Sequence, residues 1–193
     1  VPAQLVLGAG GTFFARTLDV DVPTTVNCMV AAEQHKGCSI IECLVNCVIF
    51  NNGTHAWIAD RELRAEHSII LKHGEKMIFG KNNDKGLAVE IDPVTFVPKM
   101  IVVPAGDPRV LTHDATQPDP TLHRLLSLMG QNLVTDVNTQ PTEDSLPIAL
   151  GVIRSVEAET YDEAVNKQIA DVREHAKAHN FDELTATLES WQV

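Results

Sequence analysis

The hydrophobic positions of this chain change their period several times, and each change marks an element. Pro2 followed by Ala3-Gln4-Leu5-Val6-Leu7 reads as a short helix with proline in its first turn. Gly8-Ala9-Gly10-Gly11 ends it. These glycines follow a helix and precede a strand, the reverse of the dinucleotide-binding order, so they read as a cap and tight turn rather than a phosphate cradle. Thr12–Arg16 is a short strand, Asp19–Val22 a loop, and Pro23 a helix start. Thr24–Gln34 is then a helix with Val26, Met29, Val30 and Ala32 on or near its apolar side. His35 and Lys36 form its cationic last turn, and Gly37 is the residue suited to a left-handed cap. The near-continuous apolar run Cys38–Val45 predicts a short parallel strand buried on both faces. It ends at Asn46-Cys47, and a polar loop opens at Asn51-Asn52-Gly53. Ligands of open α/β sheets sit beyond the carboxyl ends of strands, so Cys47 is well placed for chemistry.

The order helix–strand–helix–strand implies two successive right-handed crossovers. It is the tail of a parallel α/β sheet, since a doubly wound domain normally holds more strands. After Phe50 the pattern turns polar through His55, Trp57, Asp60, Arg61 and Glu62, with room for a short helix. Val89-Glu90-Ile91 and Lys99–Val103 predict two more strands, with Gly80–Gly86 as a turn-rich loop of the same segment. That loop lacks the spacing and the Ser/Thr of a P-loop. Pro120–Met129 is an amphipathic helix whose Leu122, Leu125, Leu126 and Met129 form a core stripe. Asn132–Ser145 has no apolar periodicity and reads as a linker or exposed loop. Pro147–Arg154 is a last strand-like run. A helix follows with Ala164, Ile169 and Val172 at or near helical spacing, and the tail carries Leu184, Leu188 and Trp191 as a further stripe.

Composition changes this picture little. The 193 residues are 44% hydrophobic and 21% charged, enough for one core or one core with an extension. A net charge of −11 argues against a nucleic-acid surface. It fits solubility and a cationic partner surface. No apolar run approaches the roughly 20 residues that span a bilayer, and no signal peptide is evident, so the expected setting is the cytoplasm. Cys28, Cys38, Cys43 and Cys47 cluster in one segment without a CxxC pair. A disulfide scaffold is not expected in such a chain, and the paired spacing of a self-contained zinc or iron–sulfur site is absent. Cys28, Cys38 and Cys43 read as small buried hydrophobes. His113-Asp114 reads as structural or interfacial, because adjacent residues rarely face each other usefully and no nucleophile motif accompanies them.

One family is suggested by several segments together. A helix ending His35-Lys36-Gly37, a strand, then Asn46-Cys47-Val48-Ile49-Phe50-Asn51 resembles the thiamine-diphosphate-binding β subunit of the 2-oxoacid:ferredoxin oxidoreductases, the 2-oxoglutarate enzymes most of all. Thr12-Phe13-Phe14-Ala15-Arg16 is similar to that family's Ala-Thr-Phe-Val-Ala-Arg segment. His73-Gly74-Glu75-Lys76-Met77-Ile78-Phe79-Gly80, Val110–Ala115, Pro147–Arg154 and Tyr161-Asp162 continue the likeness. The resemblance implies the C-terminal portion of a β subunit. Residues 1–50 would end the thiamine-diphosphate-binding α/β domain, and 51–130 would be a small β-rich extension over it. Residues 131–146 would be a linker, and 147–193 a C-terminal strand and helices. It implies oxidative decarboxylation of a 2-oxoacid to its coenzyme A ester, with electrons leaving through a [4Fe–4S] cluster to ferredoxin. Thiamine diphosphate, magnesium and the cluster are the implied cofactors. An α subunit, a second αβ pair and a transient ferredoxin are the implied partners.

In that family the fourth cysteine of the cluster lies in the motif matched by Asn46–Asn51, so the resemblance assigns Cys47 as a cluster ligand. The other three ligands and the Gly-Asp-Gly-Asp motif that holds magnesium and diphosphate do not occur here. No catalytic residue is assigned, and the chain alone is expected to be inactive. Two other readings stay open: a stand-alone binding or scaffold module of such a complex, and a metal protein built on the four cysteines.

Overall fold

The computed structural model describes residues 1–130, 141–142 and 145–175. They divide into two units, 1–158 and 159–193. The first is mixed α/β. Its elements are α1 (Pro2–Gly8), β1 (Phe13–Leu18), α2 (Val22–Gln34), β2 (Ser39–Leu44), α3 (Ala56–Ala59), α4 (Arg61–His67), β3 (Ser68–Leu71), β4 (Ile78–Phe79), β5 (Lys85–Ile91), β6 (Pro98–Pro104), α5 (Thr121–Leu128) and β7 (Ile148–Ser155). The second unit contributes α6 (Tyr161–His175), which begins where the sequence places its last helix. Thr160 and Glu163 exchange hydrogen bonds at its start, the reciprocal cap that satisfies free amides of a first turn.

The main sheet has the order β2-β1-β7-β3. β1 pairs parallel with β2 in register Phe13↔Ser39 to Leu18↔Leu44, and α2 makes the crossover between them. β7 runs antiparallel to β1 and parallel to β3, so the sheet is mixed. A second, three-stranded antiparallel sheet has the order β4-β5-β6. The principal core lies between the two: Phe14, Ile69, Leu71, Ala149 and Ile153 of the main sheet meet Met77, Phe79, Leu87 and Met100 of the small one. α1 and α5 close it through Ala3, Leu126 and Met129, with Leu122 and Leu125 packed alongside as their stripe predicts. Phe13 and Ala15 pack against α2, and Leu18, Ile148 and Leu150 against Ile58 of α3. Arg154 ties the loops together from a nearly buried position. It donates to the carbonyls of Gly11, Gln117 and Pro118 and to His123 Nδ1 at 3.0–3.1 Å.

Several expectations need correction. β2 is not buried on both faces: it is the edge strand, Ile40 is half-exposed, and β1 beside it is the strand buried throughout. Cys38 and Cys43 follow that edge into solvent, and only Cys28 of the three is buried. Val26, Met29 and Val30 of α2 point outward; the helix meets the sheet through Cys28, Ala31 and Ala32, whose small side chains allow close approach. α2 stops at Gln34, so His35 and Lys36 lie beyond its last turn. Gly37 is no left-handed cap. Its φ is +141°, and a Cβ there would lie 2.4 Å from Thr12 Oγ1, so glycine is needed where this turn crosses the start of β1. The polar stretch after Phe50 holds two short helices, and β3, unforeseen, follows them directly. The last two residues of the predicted Gly80–Gly86 loop, Lys85 and Gly86, belong to β5. The run after Pro147 is an inner strand of the main sheet, between β1 and β3. At Gly151 (φ +91°) a Cβ would sit 2.8 Å from Leu71 O, so glycine lets β3 approach. Most of the 132–145 stretch and the whole Leu184–Trp191 stripe fall outside the described residues.

Candidate functional site

The carboxyl ends of the parallel pair β1 and β2 open onto one loop system. β1 delivers Asp19, whose N–H is given to Leu44 O at 3.0 Å, and β2 delivers Asn46. Asp19 accepts from Val20 N at 2.8 Å and Asn46 N at 3.3 Å, which holds the two strand ends together. Asn46 then organises the far side of the loop. Its Oδ1 accepts from Gly53 N at 2.8 Å, and its Nδ2 donates to Asn52 Oδ1 at 3.3 Å. Asn51 returns its N–H to Cys47 O at 2.9 Å and its side-chain amide to Thr54 Oγ1 at 2.7 Å. The asparagines of the motif are therefore scaffolding. They fold residues 46–53 into a tight loop with Cys47 at its start.

Backbone amides of that loop, Phe50 first, then Ile49 and more weakly Asn51, lower the Cys47 thiol below the ordinary thiol range, and desolvation opposes them. Hydrogen bonding of this kind favours the thiolate, the form that binds metal. The neighbouring side chains are apolar and open to solvent: Val48, Ile49 and Phe50, the last 90% exposed. A partly exposed cysteine in a tight loop, its thiol lowered and its neighbours apolar, has the donor chemistry of an iron–sulfur ligand, so Cys47 fits that role. Cys28 has the opposite setting. Burial, then the nearby Asp21 carboxylate, push its thiol up to about 11. The four cysteines do not gather, and among the described residues no group of three or more His, Cys, Asp or Glu side chains is placed to hold a metal ion. The described residues therefore complete neither a cluster site nor a magnesium site by themselves.

His55 was not legible as a site residue. It borders a cavity of about 230 Å³ with Asp19, Asn46 and Gly53, next to the Cys47 loop. It is 7% exposed, and its Nδ1 has no hydrogen-bond partner. Burial lowers its pKa, against the Asp19 carboxylate and the Val45 carbonyl, which act to raise it. His113 is buried and gives Nε2–H to Val152 O at 2.9 Å, and Asp114 accepts from Thr116, so the pair does not form a catalytic couple.

The chain thus combines a mixed α/β fold with a cysteine in the loop at the carboxyl ends of its parallel pair β1 and β2. No protein-family model matches the chain, and no solved structure matches it. A curated protein does: 2-oxoglutarate oxidoreductase subunit KorB of Mycobacterium tuberculosis (strain ATCC 25618 / H37Rv) is 34% identical over 182 residues, covering 91% of this chain. The chain is thus a relative of the 2-oxoacid:ferredoxin oxidoreductase β subunits. It spans 43% of the length of that relative. No helix among the described residues is long and apolar enough to cross a membrane.

Proposed function

We propose that this chain is part of the β subunit of a 2-oxoglutarate:ferredoxin oxidoreductase, and that Cys47 is a thiolate ligand of its [4Fe–4S] cluster. The observation that carries the reading is the place of Cys47, partly exposed at the start of the 46–53 loop beyond the carboxyl ends of the parallel strands β1 and β2. Similarity to a subunit named for 2-oxoglutarate oxidation supports the substrate. In this reading residues 1–50 end the thiamine-diphosphate-binding domain, and 51–130 form the β-subunit extension. Thiamine diphosphate, magnesium and the other three thiolates are held by residues outside this chain. The cluster, when bound, supplies one-electron transfer between substrate oxidation and ferredoxin. The chain's own part is to present Cys47 from a hydrogen-bonded loop, favour its thiolate through backbone amides, and exclude water from it with Val48, Ile49 and Phe50 once that apolar rim is covered. An α subunit, a second αβ pair and coenzyme A complete the cytoplasmic assembly.

The test is acceptor reduction by the complete protein with its partner subunit, in the absence of oxygen. With coenzyme A, 2-oxoglutarate supports viologen or ferredoxin reduction faster than pyruvate does. A complete protein that oxidises no 2-oxoacid refutes the reading. Faster turnover of pyruvate refutes the substrate alone.

A further inference from the structure

Asn52-Gly53 is the one Asn-Gly pair in the sequence. It lies in the loop that begins at Cys47, and both residues are exposed. Asn-Gly is the least durable of the asparagine dipeptides in water. Where the following residue has no side chain, its backbone nitrogen reaches the asparagine Cγ most easily and closes a succinimide ring. Nothing crowds that approach here. Gly53 has φ +81°, a backbone that favours glycine, and a Cβ on it would meet no atom within 4 Å. The turn thus keeps a labile pair open to water.

An independent observation shows what restrains it. Asn46, just beyond β2, holds both reacting groups with one side chain. Its Oδ1 accepts from Gly53 N at 2.8 Å, and its Nδ2 donates to Asn52 Oδ1 at 3.3 Å. The orientation of the amide is forced, because a backbone N–H can only donate and so must face the oxygen. Asn46 is itself anchored, its N–H given to the Asp19 carboxylate at 3.3 Å. Ring closure requires Gly53 N to shed the proton that Asn46 Oδ1 holds. It also requires Asn52 Cγ to turn onto that nitrogen, away from Asn46 Nδ2. Both bonds must open first, so the rate follows the population of the opened loop.

We propose that Asn52-Gly53 is a deamidation site that Asn46 holds shut, so that opening of the Cys47 loop is recorded as an aspartate or isoaspartate at position 52. The step balances with water alone. Gly53 N bonds to Asn52 Cγ, the side-chain nitrogen leaves as ammonia, and water opens the ring. Either product puts a carboxylate beside Asn46. Isoaspartate also adds a backbone carbon, which moves Gly53 N off Asn46 Oδ1. The inference does not depend on what Cys47 binds.

The test follows position 52 over time in the 193-residue chain at neutral pH, by peptide mass mapping. Modified peptides gain the mass difference between an amide NH2 and a hydroxyl, and separate into aspartate and isoaspartate forms. A synthetic peptide of residues 48–56 sets the unrestrained rate. The folded chain reacts about tenfold or more slowly than the peptide, two hydrogen bonds being worth about three- to tenfold each. Asn46→Ala, its fold checked by circular dichroism, reacts about tenfold faster than the parent. Asn46→Asp keeps an acceptor for Gly53 N but loses the donor to Asn52, and its rate falls between the two. A folded parent chain that deamidates at position 52 as fast as the peptide overturns the proposal. So does a folded Asn46→Ala chain as slow as the parent, or an Asn46→Asp chain as fast as Asn46→Ala.

Discussion

Arg16 and Glu42 give the sharpest test of how this fold holds its site. They face each other across the β1–β2 register, Arg16 fully buried and the Glu42 side chain 17% exposed, with Nε 2.6 Å from Oε2. Arg16 Nη2 also donates to Ser127 O at 3.0 Å, while Nη1 has no partner. The guanidinium thus depends on Glu42 for its charge balance. Glu42→Ala leaves a buried cation with one carbonyl. Breaking a buried pair costs about 3–5 kcal/mol, and the partial exposure of Glu42 reduces this to about 2–3 kcal/mol. Glu42→Gln keeps an acceptor but loses the charge, costing about 1–2 kcal/mol. Replacing both partners, Arg16→Met with Glu42→Leu, comes close to the parent stability, because the desolvation of both charges disappears with their attraction. Urea unfolding followed by circular dichroism reads all three. Glu42→Ala lowers the midpoint by about 1–2 M at the slopes usual for small proteins. A Glu42→Ala protein within about 0.5 kcal/mol of the parent refutes the reasoning, as does a double variant less stable than Glu42→Ala.

Three further outcomes follow from the same geometry. In the native chain iodoacetamide modifies Cys47 first and Cys28 last, since amides favour one thiolate and burial opposes the other; mass mapping of alkylation over time reads the order, and Cys28 reacting before Cys47 contradicts it. Gly151→Ala costs about 2–3 kcal/mol, from its left-handed backbone and the contact a Cβ makes with Leu71 O; unchanged thermal stability contradicts that. His55, His113 and His123 have folded pKa values held below 6.5, first by burial, so the unfolded chain binds more protons as pH falls. Their stabilising contribution is whole above pH 6.5 and is lost as pH falls through the folded values. The urea midpoint therefore drops between about pH 7.5 and 5.5, and a rise contradicts the assignment.

Local patterning made much of the fold legible. α1, β1, α2 and α5 appear where proline starts, glycine stops and apolar spacing put them. The errors share one physical origin: a strand or helix face shows how apolar it is, but not which neighbour it meets. The run Ser39–Leu44 is apolar enough to be central, yet topology leaves it at the edge. Val26, Met29 and Val30 mark the apolar side of α2, yet the sheet takes the side with Cys28, Ala31 and Ala32. β3 is only four residues long and joins α4 without a turn, so no break announces it. For the site, Asn46–Asn51 singled out Cys47. Nothing in the order of residues shows that backbone amides lower its thiol, because those groups are set by the loop that the asparagines fold. His55 carried no signal, its place depending on Asp19 and Asn46 from two separate strands.

The most direct measurement is the iron content and low-temperature electron paramagnetic resonance of the complete protein, purified without oxygen with its partner subunit, in parent, Cys47→Ser and Cys43→Ser forms. Cys47 as a cluster ligand predicts that Cys47→Ser loses iron or replaces the reduced [4Fe–4S] signal with an altered one, while Cys43→Ser keeps both unchanged. A Cys47→Ser protein with the iron content and spectrum of the parent would contradict the assignment.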